Sequence, residues 1–278
     1  MKFTRYETAA EFSDDVLELL KKYEIQNNMF ISNIGDGEGR TMLSVKDDDG
    51  KVLVAAIRAT PYPMLMFETD NARNDDAVEY LVKSIIENGI DADFIMTEKA
   101  LAKSFINLYQ KHTGKTFKKE ISFVLYVTDK VNEIPKIDGH LRAVTENDMV
   151  FLPYWGADFA PACNLGDYNL ESGIKKAQNW VTNKNIMYIW EDNYPVSMAA
   201  AVREVTDCRF IGQVYTPPHF RGKGYSTACV YALTNKLLEE GYKYVALDAD
   251  CDNPYSNAVY RKIGFKDVFY YDQYNIKE

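Results

Sequence analysis

The pattern of hydrophobic positions in the first half changes repeatedly between the helical period of 3.6 and the strand period of 2. A capping-box pair, Thr8 and Glu11, precedes apolar residues at helical spacing, and an Asp-Asp-Asp-Gly stretch separates two alternating runs as a hairpin turn does. The predicted elements are a helix after Thr8, a hairpin over 40–59, a strand over 64–70, a helix over 76–88, a strand over 91–98, a helix from 99 to about Gly114 and a strand over 121–128.

The second half repeats this order of elements. Thr145 and Asp148 form another capping-box-like start, and Asp192-Asn193 is the predicted turn of a hairpin. The predicted elements are a helix after Thr145, strands over 186–192, 195–205 and 209–216, a helix over 225–240 ended by Gly241, a strand over 242–250, a helix from the N-cap Asn253 to Gly264, and one or two aromatic-rich strands over 266–276. The repeated order indicates a tandem repeat of one α/β unit.

Polar residues, a proline and a glycine interrupt the hydrophobic periodicity between 127 and 149. We therefore predict a first domain over 1–130, a linker over 131–138 and a second domain over 139–278. A chain of 278 residues is long for one domain and long enough for two, and 46% hydrophobic residues are sufficient for packed cores.

Charge and composition exclude several classes of protein. The net charge of −9 argues against a nucleic-acid-binding surface, and no apolar run approaches the length of a membrane span or the core of a signal peptide. The four cysteines lack CxxC pairing and the three histidines are scattered, which gives no pattern of metal ligands or disulfides. We expect a cytoplasmic protein without a metal, a membrane anchor or a nucleic-acid partner.

A basic, glycine-containing loop, Arg221-Gly222-Lys223-Gly224, lies directly before the helix predicted over 225–240. The free N–H groups of a helix's first turn and the helix dipole form an anion site, and glycine lets the backbone approach a phosphate closely. A tight turn that needs glycines would produce the same residues. The loop is neither a P-loop nor a GxGxxG dinucleotide motif, so alone it leaves both readings open.

The surrounding residues resemble the GNAT superfamily of acyl-CoA-dependent N-acetyltransferases. Its motif A, [RQ]xxGx[GA] between a strand and a helix, matches Arg221, Gly224 and Ser226, although the family usually has glycine or alanine at the last position. A second marker, asparagine followed seven residues later by tyrosine and then by Gly-Phe, matches Asn253, Tyr260 and Gly264-Phe265. The resemblance covers about 139–278, and it reaches the first half only through the order of elements.

The resemblance implies an α/β fold (an α+β mixed sheet) in two tandem GNAT-like domains, each a mostly antiparallel sheet flanked by helices. It also implies acetyl-CoA as cosubstrate and a small-molecule or peptide amine as acceptor. In the family, backbone groups of the motif strand pair with the pantetheine arm and the loop holds the diphosphate. The implied cofactor-binding residues are Val214, Tyr215, Thr216, Arg221, Gly222, Lys223, Gly224, Tyr225, Ser226 and Asn253.

Catalysis in such a site requires a proton for the departing thiolate, and the resemblance assigns that role to Tyr260. A core tyrosine on the helix is the alternative reading. The motif strand carries no glutamate or histidine, so the general base stays open among Glu191, Glu204, Asp248, Asp250 and a water chain oriented by Gln213. A Cys251 acyl-enzyme is disfavoured, because no histidine in the motif region would activate the thiol.

The first half has no counterpart of the basic loop. Residues 71–75, Asn-Ala-Arg-Asn-Asp, contain no glycine and precede further carboxylates, which would repel a diphosphate. We therefore predict a degenerate first domain that does not bind acyl-CoA. Without an obvious base, an acyl-CoA sensor or an inactive GNAT-fold module is the alternative to an N-acetyltransferase.

Overall fold

The computed structural model describes residues 1–69, 74–183 and 186–277. The chain divides into two compact units, of which unit 1 contains Met1–Val124 and Phe269–Glu278, and unit 2 contains Leu125–Val268. Both units are mixed sheets flanked by helices, which confirms the predicted fold class. The division places the C-terminal segment with unit 1, whereas the sequence predicted a second domain that continues to 278.

Unit 1 carries the strand order β1-β2-β3-β4-β5-β12, in which β4 and β5 are parallel, whereas β1–β2, β2–β3, β3–β4 and β5–β12 are antiparallel pairs. Its last strand comes from the chain's C-terminal end, since Tyr271 pairs with Glu98 and Asn275 with Phe94. Its elements are β1 (Lys2–Tyr6), α1 (Ala9–Lys21), α2 (Asn28–Ser32), β2 (Arg40–Lys46), β3 (Val52–Ala59), β4 (Met64–Glu68), α3 (Asp75–Glu87), β5 (Phe94–Glu98), α4 (Lys99–Thr113), and parts of β6 (Phe117–Thr128) and β12 (Lys266–Ile276).

The unit 1 sheet is covered on both faces. Along β3, Val54 and Ala56 pack in a cluster with residues of α3 and α4, whereas Ala55 and Ile57 pack with residues of α1 and α2. A strand buried on both faces has a nearly continuous apolar sequence, which explains the run Val-Leu-Val-Ala-Ala-Ile at 52–57. The capping box at Thr8 is present and begins α1 as predicted.

Unit 2 carries the order β7-β8-β9-β10-β11, antiparallel except for the parallel pair β10–β11. The capping box at Thr145 begins a short 3-10 helix over Glu146–Val150. Helices α5 and α6 cover one face through Leu152 and Trp180, and α7 contacts β8 to β11. The elements are β7 (His140–Ala143), α5 (Leu152–Ala162), α6 (Leu170–Thr182), β8 (Met187–Asp192), β9 (Tyr194–Val205), β10 (Cys208–Tyr215), α7 (Tyr225–Glu239), β11 (Tyr244–Asp250) and α8 (Pro254–Ile263).

The predicted elements are present with ends shifted by a few residues, and the described residues contain further helices and strands. Among them, β1, α2, β7 and α6 complete the same order in both halves of the sequence: strand, two helices, three antiparallel strands, then helix, strand, helix and strand. The predicted linker 131–138 contains no helix or strand. The unpredicted strands β1 and β7 lie at the ends of their strand orders, where each pairs on one side.

Candidate active site

The two parallel strands of unit 2 diverge beside the predicted motif. β10 and β11 pair from Cys208 with Tyr244 to Ile211 with Leu247, and their register stops there. The last residues of β10 therefore have no partner in β11, although Tyr215 pairs with Met198 of β9 on the other side. This divergence leaves main-chain groups of β10 facing an open wedge, which a ligand can enter as an additional strand.

A bulge shapes the edge of this wedge. Between the pairs Gly212–Ala200 and Tyr215–Met198, the two residues Gln213 and Val214 lie opposite one residue of β9. Gln213 has a φ of 51°, and its buried Oε1 has no hydrogen-bond partner among the described residues. A bulge adds local twist and redirects the following residue, so Val214 and Tyr215 leave the regular ladder where the strands separate.

The segment after β10 is held by side chains. The hydroxyls of Thr216 and Ser197 form a hydrogen bond of 2.8 Å. The Ser197 hydroxyl also lies 3.2 Å from the Tyr215 carbonyl oxygen. Arg221 donates from Nε to the Thr216 carbonyl at 2.9 Å, which connects the loop to the strand end. The predicted pantetheine-pairing residues and the predicted diphosphate loop therefore form one connected feature.

The start of α7 is chemically different from the start of α3, its counterpart in unit 1. Gly224 occupies the N-cap of α7 with a φ of 85°, offers no side-chain cap, and is followed by a first turn without acidic residues. In α3, Asn74 accepts from Ala77 N at 3.0 Å, and Asp75 and Asp76 fill the first turn. The N–H groups at the start of α7 are therefore available to an anion, whereas those of α3 already face side-chain oxygens.

The loop residues are arranged for access. Arg221, Gly222 and Lys223 are exposed. Gly224 is more enclosed, because a Cβ built there would lie 2.7 Å from Ile137 Cδ1. Tyr225 donates its hydroxyl to Asp192 at 2.7 Å, and this hydrogen bond is the main reason that the pKa of Tyr225 rises to about 12. Ser226 is half-buried in the first turn of α7.

Helix α8 follows the end of β11, and its first residues are tied to that strand end. Asn253 caps the helix, since its Oδ1 accepts from Ser256 N at 3.2 Å. Asn257, which sequence reasoning did not single out, donates from Nδ2 to the carbonyls of Asp250 and Cys251 at 3.0 and 3.1 Å. The structure thus gives Asn253 a capping role, and its predicted contact with the cofactor stays a prediction.

Tyr260 is buried on α8. Its ring lies 5.9 Å from that of Tyr126 and 6.2 Å from that of Phe265, and only 6% of the residue is exposed. Burial raises the pKa of Tyr260 above its ordinary value, and nearby Cys163 and Tyr126 act in the same direction. The phenol therefore stays protonated at neutral pH. Its environment fits both predicted readings, a proton donor and a core tyrosine.

Cys163, at the end of α5, interacts electrostatically with a residue of the motif loop and with a residue of α8. Burial is the largest influence on its thiol and raises its pKa, while Arg221 acts to lower it. The same thiol contributes to the raised pKa of Tyr260, so Cys163 interacts electrostatically with both Arg221 and Tyr260. Asp158, also on α5, accepts from the Tyr215 hydroxyl at 3.3 Å. Neither Cys163 nor Asp158 carries a sequence signal, because each reaches the site from a separate element.

Arginines engage three of the four carboxylates considered as a general base. Arg142 donates from Nε to Glu191 at 2.6 Å, Arg203 binds Asp248 at 2.5 Å, and Arg209 binds Glu204 at 2.7 Å. Asp250 accepts from the backbone N–H of Asp252 at 2.9 Å, in a turn at the end of β11. These contacts favour a structural role for the three ion-paired carboxylates.

Comparison with known proteins agrees with this geometry. Residues 156–265 match the model of the Acetyltransferase (GNAT) family. This part of the chain, which lies within unit 2, is similar to the GNAT family in sequence. No curated protein sequence matches the chain. The family and the fold support acyl transfer in general, and the family typically uses acetyl-CoA.

Solved structures show the same fold over nearly the whole chain. A GCN5-related N-acetyltransferase from Sphaerobacter thermophilus is 13% identical with a TM-score of 0.68, covering 98% of this chain and 94% of its own. A GNAT-family acetyltransferase from Colwellia psychrerythraea is also 13% identical with a TM-score of 0.62, and each chain is covered completely. A tandem GNAT protein from the clavulanic acid biosynthesis pathway, solved without AcCoA, is 10% identical with a TM-score of 0.57, covering 98% and 97%. The chain thus shares the fold of these proteins over nearly its whole length.

Two further observations concern the described residues only. No group of three or more His, Cys, Asp or Glu side chains among them is placed to hold a metal ion. None of their helices is both long and apolar enough to cross a membrane.

Proposed function

We propose that unit 2 is an acetyl-CoA-dependent N-acetyltransferase that transfers an acetyl group to a primary amine by direct attack. The observation that carries the proposal is the start of α7, which has no side-chain cap and no acidic residue, beside the divergence of β10 and β11. The diphosphate binds the N–H groups of residues 222–226, with Arg221 and Lys223 adding positive charge. The pantetheine arm pairs with the main chain of Val214 to Thr216.

In this reaction the deprotonated amine attacks the thioester carbonyl, and the tetrahedral intermediate expels the thiolate of coenzyme A. Tyr260 donates a proton or a hydrogen bond to that thiolate, a role supported by its raised pKa, which keeps the phenol protonated, and by its position on α8. Water removes the amine proton, with the unpartnered Oε1 of Gln213 as a candidate to orient it. The acceptor is a small-molecule or peptide amine.

The test uses a pair of nearly isosteric substitutions, Ser226→Asp and Ser226→Asn. A carboxylate in the first turn favours the helix itself, so Ser226→Asp keeps unit 2 folded while it repels the diphosphate, as Asp75 and Asp76 would in α3. We expect Ser226→Asp to weaken coenzyme A binding by about tenfold or more, and Ser226→Asn by much less, in calorimetric titrations. Equal binding by both variants would contradict the proposed diphosphate site.

Catalysis is tested separately from binding. Release of free thiol from acetyl-CoA is followed in the presence of a panel of primary amines, with Ser226→Asp as the control whose binding of the cosubstrate is weakened. An amine-dependent release supports the transferase. Coenzyme A binding without release under any amine favours an acyl-CoA sensor instead, a reading that the arginine pairing of Glu191, Glu204 and Asp248 supports.

A further inference from the structure

Unit 1 contains a cavity at the place where its own parallel strands diverge. β4 and β5 pair only through Met64 with Ile95 and Leu65 with Met96, so the strands separate before Glu68 and Glu98. A cavity of about 390 Å³ lies between these strand ends, α2 and the C-terminal strand β12. Its volume falls in the usual range of small-molecule sites, about 300–1,000 Å³.

The wall of this cavity is mostly apolar. Three methionines, Met29, Met66 and Met96, contribute flexible side chains, and the remaining apolar wall consists of Phe30, Leu65, Phe67, Leu101, Phe269 and Tyr271. Methionine adapts its shape readily to an apolar ligand. A dry cavity of about 150 Å³ holds one benzene molecule, so this one accommodates roughly ten to fifteen non-hydrogen atoms.

The charged side chains among the described residues that line the cavity are acidic. Of the fifteen described residues that line it, Glu68 and Glu98 are charged and none is Lys, Arg or His. Both carboxylates are half-buried at strand ends. Apolar surroundings strengthen the attraction between a carboxylate and a cation, so an apolar molecule with one positive end fits this lining better than an anion or a neutral molecule.

The same cavity is poorly suited to acyl-CoA. Thr97 donates its hydroxyl to the Met66 carbonyl at 2.8 Å, so a side chain already uses a main-chain acceptor on the inner edge of β4. Glu98 Oε2 accepts from Ala100 N and Leu101 N at 2.8 and 3.0 Å, which occupies the start of α4. Together with the capped start of α3, these contacts leave no anion site at either helix among the residues that the structure describes. Residues 71–73 of the predicted loop replacement lie outside the described residues.

We propose that the unit 1 cavity binds a small primary amine, as its ammonium cation, with an apolar body of about ten non-hydrogen atoms. The apolar body lies among the three methionines and the aromatic wall, and the ammonium group lies by Glu68 and Glu98. This binding is independent of the transferase function proposed for unit 2, because every residue that carries it belongs to unit 1.

The nine methionines allow a test on the intact chain that distinguishes the two units. The protein is labelled with ¹³C at the methionine methyl groups and titrated with 4-phenylbutylamine, 4-phenylbutan-1-ol and 4-phenylbutyrate. We expect saturable shifts of the methyl resonances of Met29, Met66 and Met96, with a Kd on the order of 1 mM for the amine. The alcohol binds about three- to tenfold more weakly, and the carboxylate weaker still.

A matched pair of variants tests the charge. The Asn74 N–H donates to Glu68 Oε1 at 3.1 Å, and Glu68→Gln keeps an oxygen that can accept this hydrogen bond. The substitution should weaken amine binding about two- to fivefold and leave the affinity for the alcohol unchanged. Glu38→Gln, an exposed residue of unit 1 outside the cavity, should leave both unchanged. The variant is folded if the methionine methyl resonances of the ligand-free Glu68→Gln protein match those of the parent protein.

Two results would overturn the proposal. One is the absence of saturable shifts at the three cavity methyl groups up to about ten times the expected Kd, whatever occurs at Met149, Met187 and Met198 of unit 2. The other is binding of the alcohol or the carboxylate as tightly as the amine, or an effect of Glu68→Gln no larger than that of Glu38→Gln.

Discussion

Two glycines in the loop before α7 allow the energetic cost of backbone strain to be measured separately from that of a steric clash. Gly222 and Gly224 both have left-handed backbones, with φ values of 78° and 85°. A Cβ at Gly222 would meet nothing within 4 Å among the described residues, whereas one at Gly224 would lie 2.7 Å from Ile137 Cδ1. Replacing each glycine by alanine therefore adds the same backbone strain and differs in one steric contact.

The expected losses of stability follow from two contributions, the backbone strain and the steric contact with Ile137. A left-handed conformation costs a non-glycine residue about 1–2 kcal/mol, so Gly222→Ala should lower the free energy of unfolding of unit 2 by that amount. Moving the Ile137 side chain out of its rotamer costs about 0.5–1.5 kcal/mol more, so Gly224→Ala should cost about 1.5–3.5 kcal/mol in total. In an Ile137→Ala background the steric contribution disappears, and the two glycine substitutions should become equivalent.

Urea unfolding followed by tryptophan fluorescence measures this cycle in the full chain. All three tryptophans, Trp155, Trp180 and Trp190, belong to unit 2, so the signal reports that unit. The reasoning is refuted if Gly224→Ala is no more destabilising than Gly222→Ala, or if the difference between them persists after Ile137→Ala. Calorimetry with coenzyme A on the same variants shows whether the strain also reduces ligand binding.

Three other substitutions or truncations have defined outcomes. Tyr260→Phe should lower kcat by roughly ten- to a thousandfold while acetyl-CoA binding hardly changes, because only the hydroxyl is lost; an unchanged kcat would make the residue a packing residue. Asp148→Asn should lower the free energy of unfolding of unit 2 by about 2–3 kcal/mol at pH 7, as measured by urea unfolding. This is less than the loss of a fully buried ion pair costs, because Arg142 is partly exposed. Burial alone would raise the pKa of Asp148, but the hydrogen bonds and charge of Arg142 and the hydrogen bonds from Thr145 together outweigh it, and the pKa is lowered. The difference between the parent and Asp148→Asn should therefore be complete above about pH 4 and shrink as the pH falls further; a difference that does not depend on pH would contradict this account. A chain ended after Val268 should lose the cooperative unfolding of unit 1, because Phe269–Ile276 supplies the partner of β5; a unit 1 methionine spectrum that survives the truncation would show otherwise.

Local interactions were predictable from the sequence. The capping boxes at Thr8 and Thr145, the cap at Asn253 and the turn at Asp192-Asn193 each depend on residues within a few positions, and the structure contains all of them. The strand–loop–helix around Arg221 to Ser226 was predictable for the same reason. Helix α6 also has a signal, since Ile174, Ala177 and Val181 follow helical spacing, although it was not among the predicted elements. Which of the predicted residues bind acetyl-CoA stays a prediction.

Contacts between distant parts of the chain were decided by the tertiary structure. The aromatic-rich residues 266–276 predict one or two strands, but they do not identify a partner strand. The pairing of Tyr271 with Glu98 assigns this segment to unit 1. The ring contact between Tyr126 and Tyr260 and the ion pair between Arg203 and Asp248 likewise join separate elements. Hydrophobic periodicity and helix capping depend on interactions between residues that are close in sequence. Strand order and the packing of helices on a sheet depend on which buried surfaces meet, and that information is spread over the whole chain.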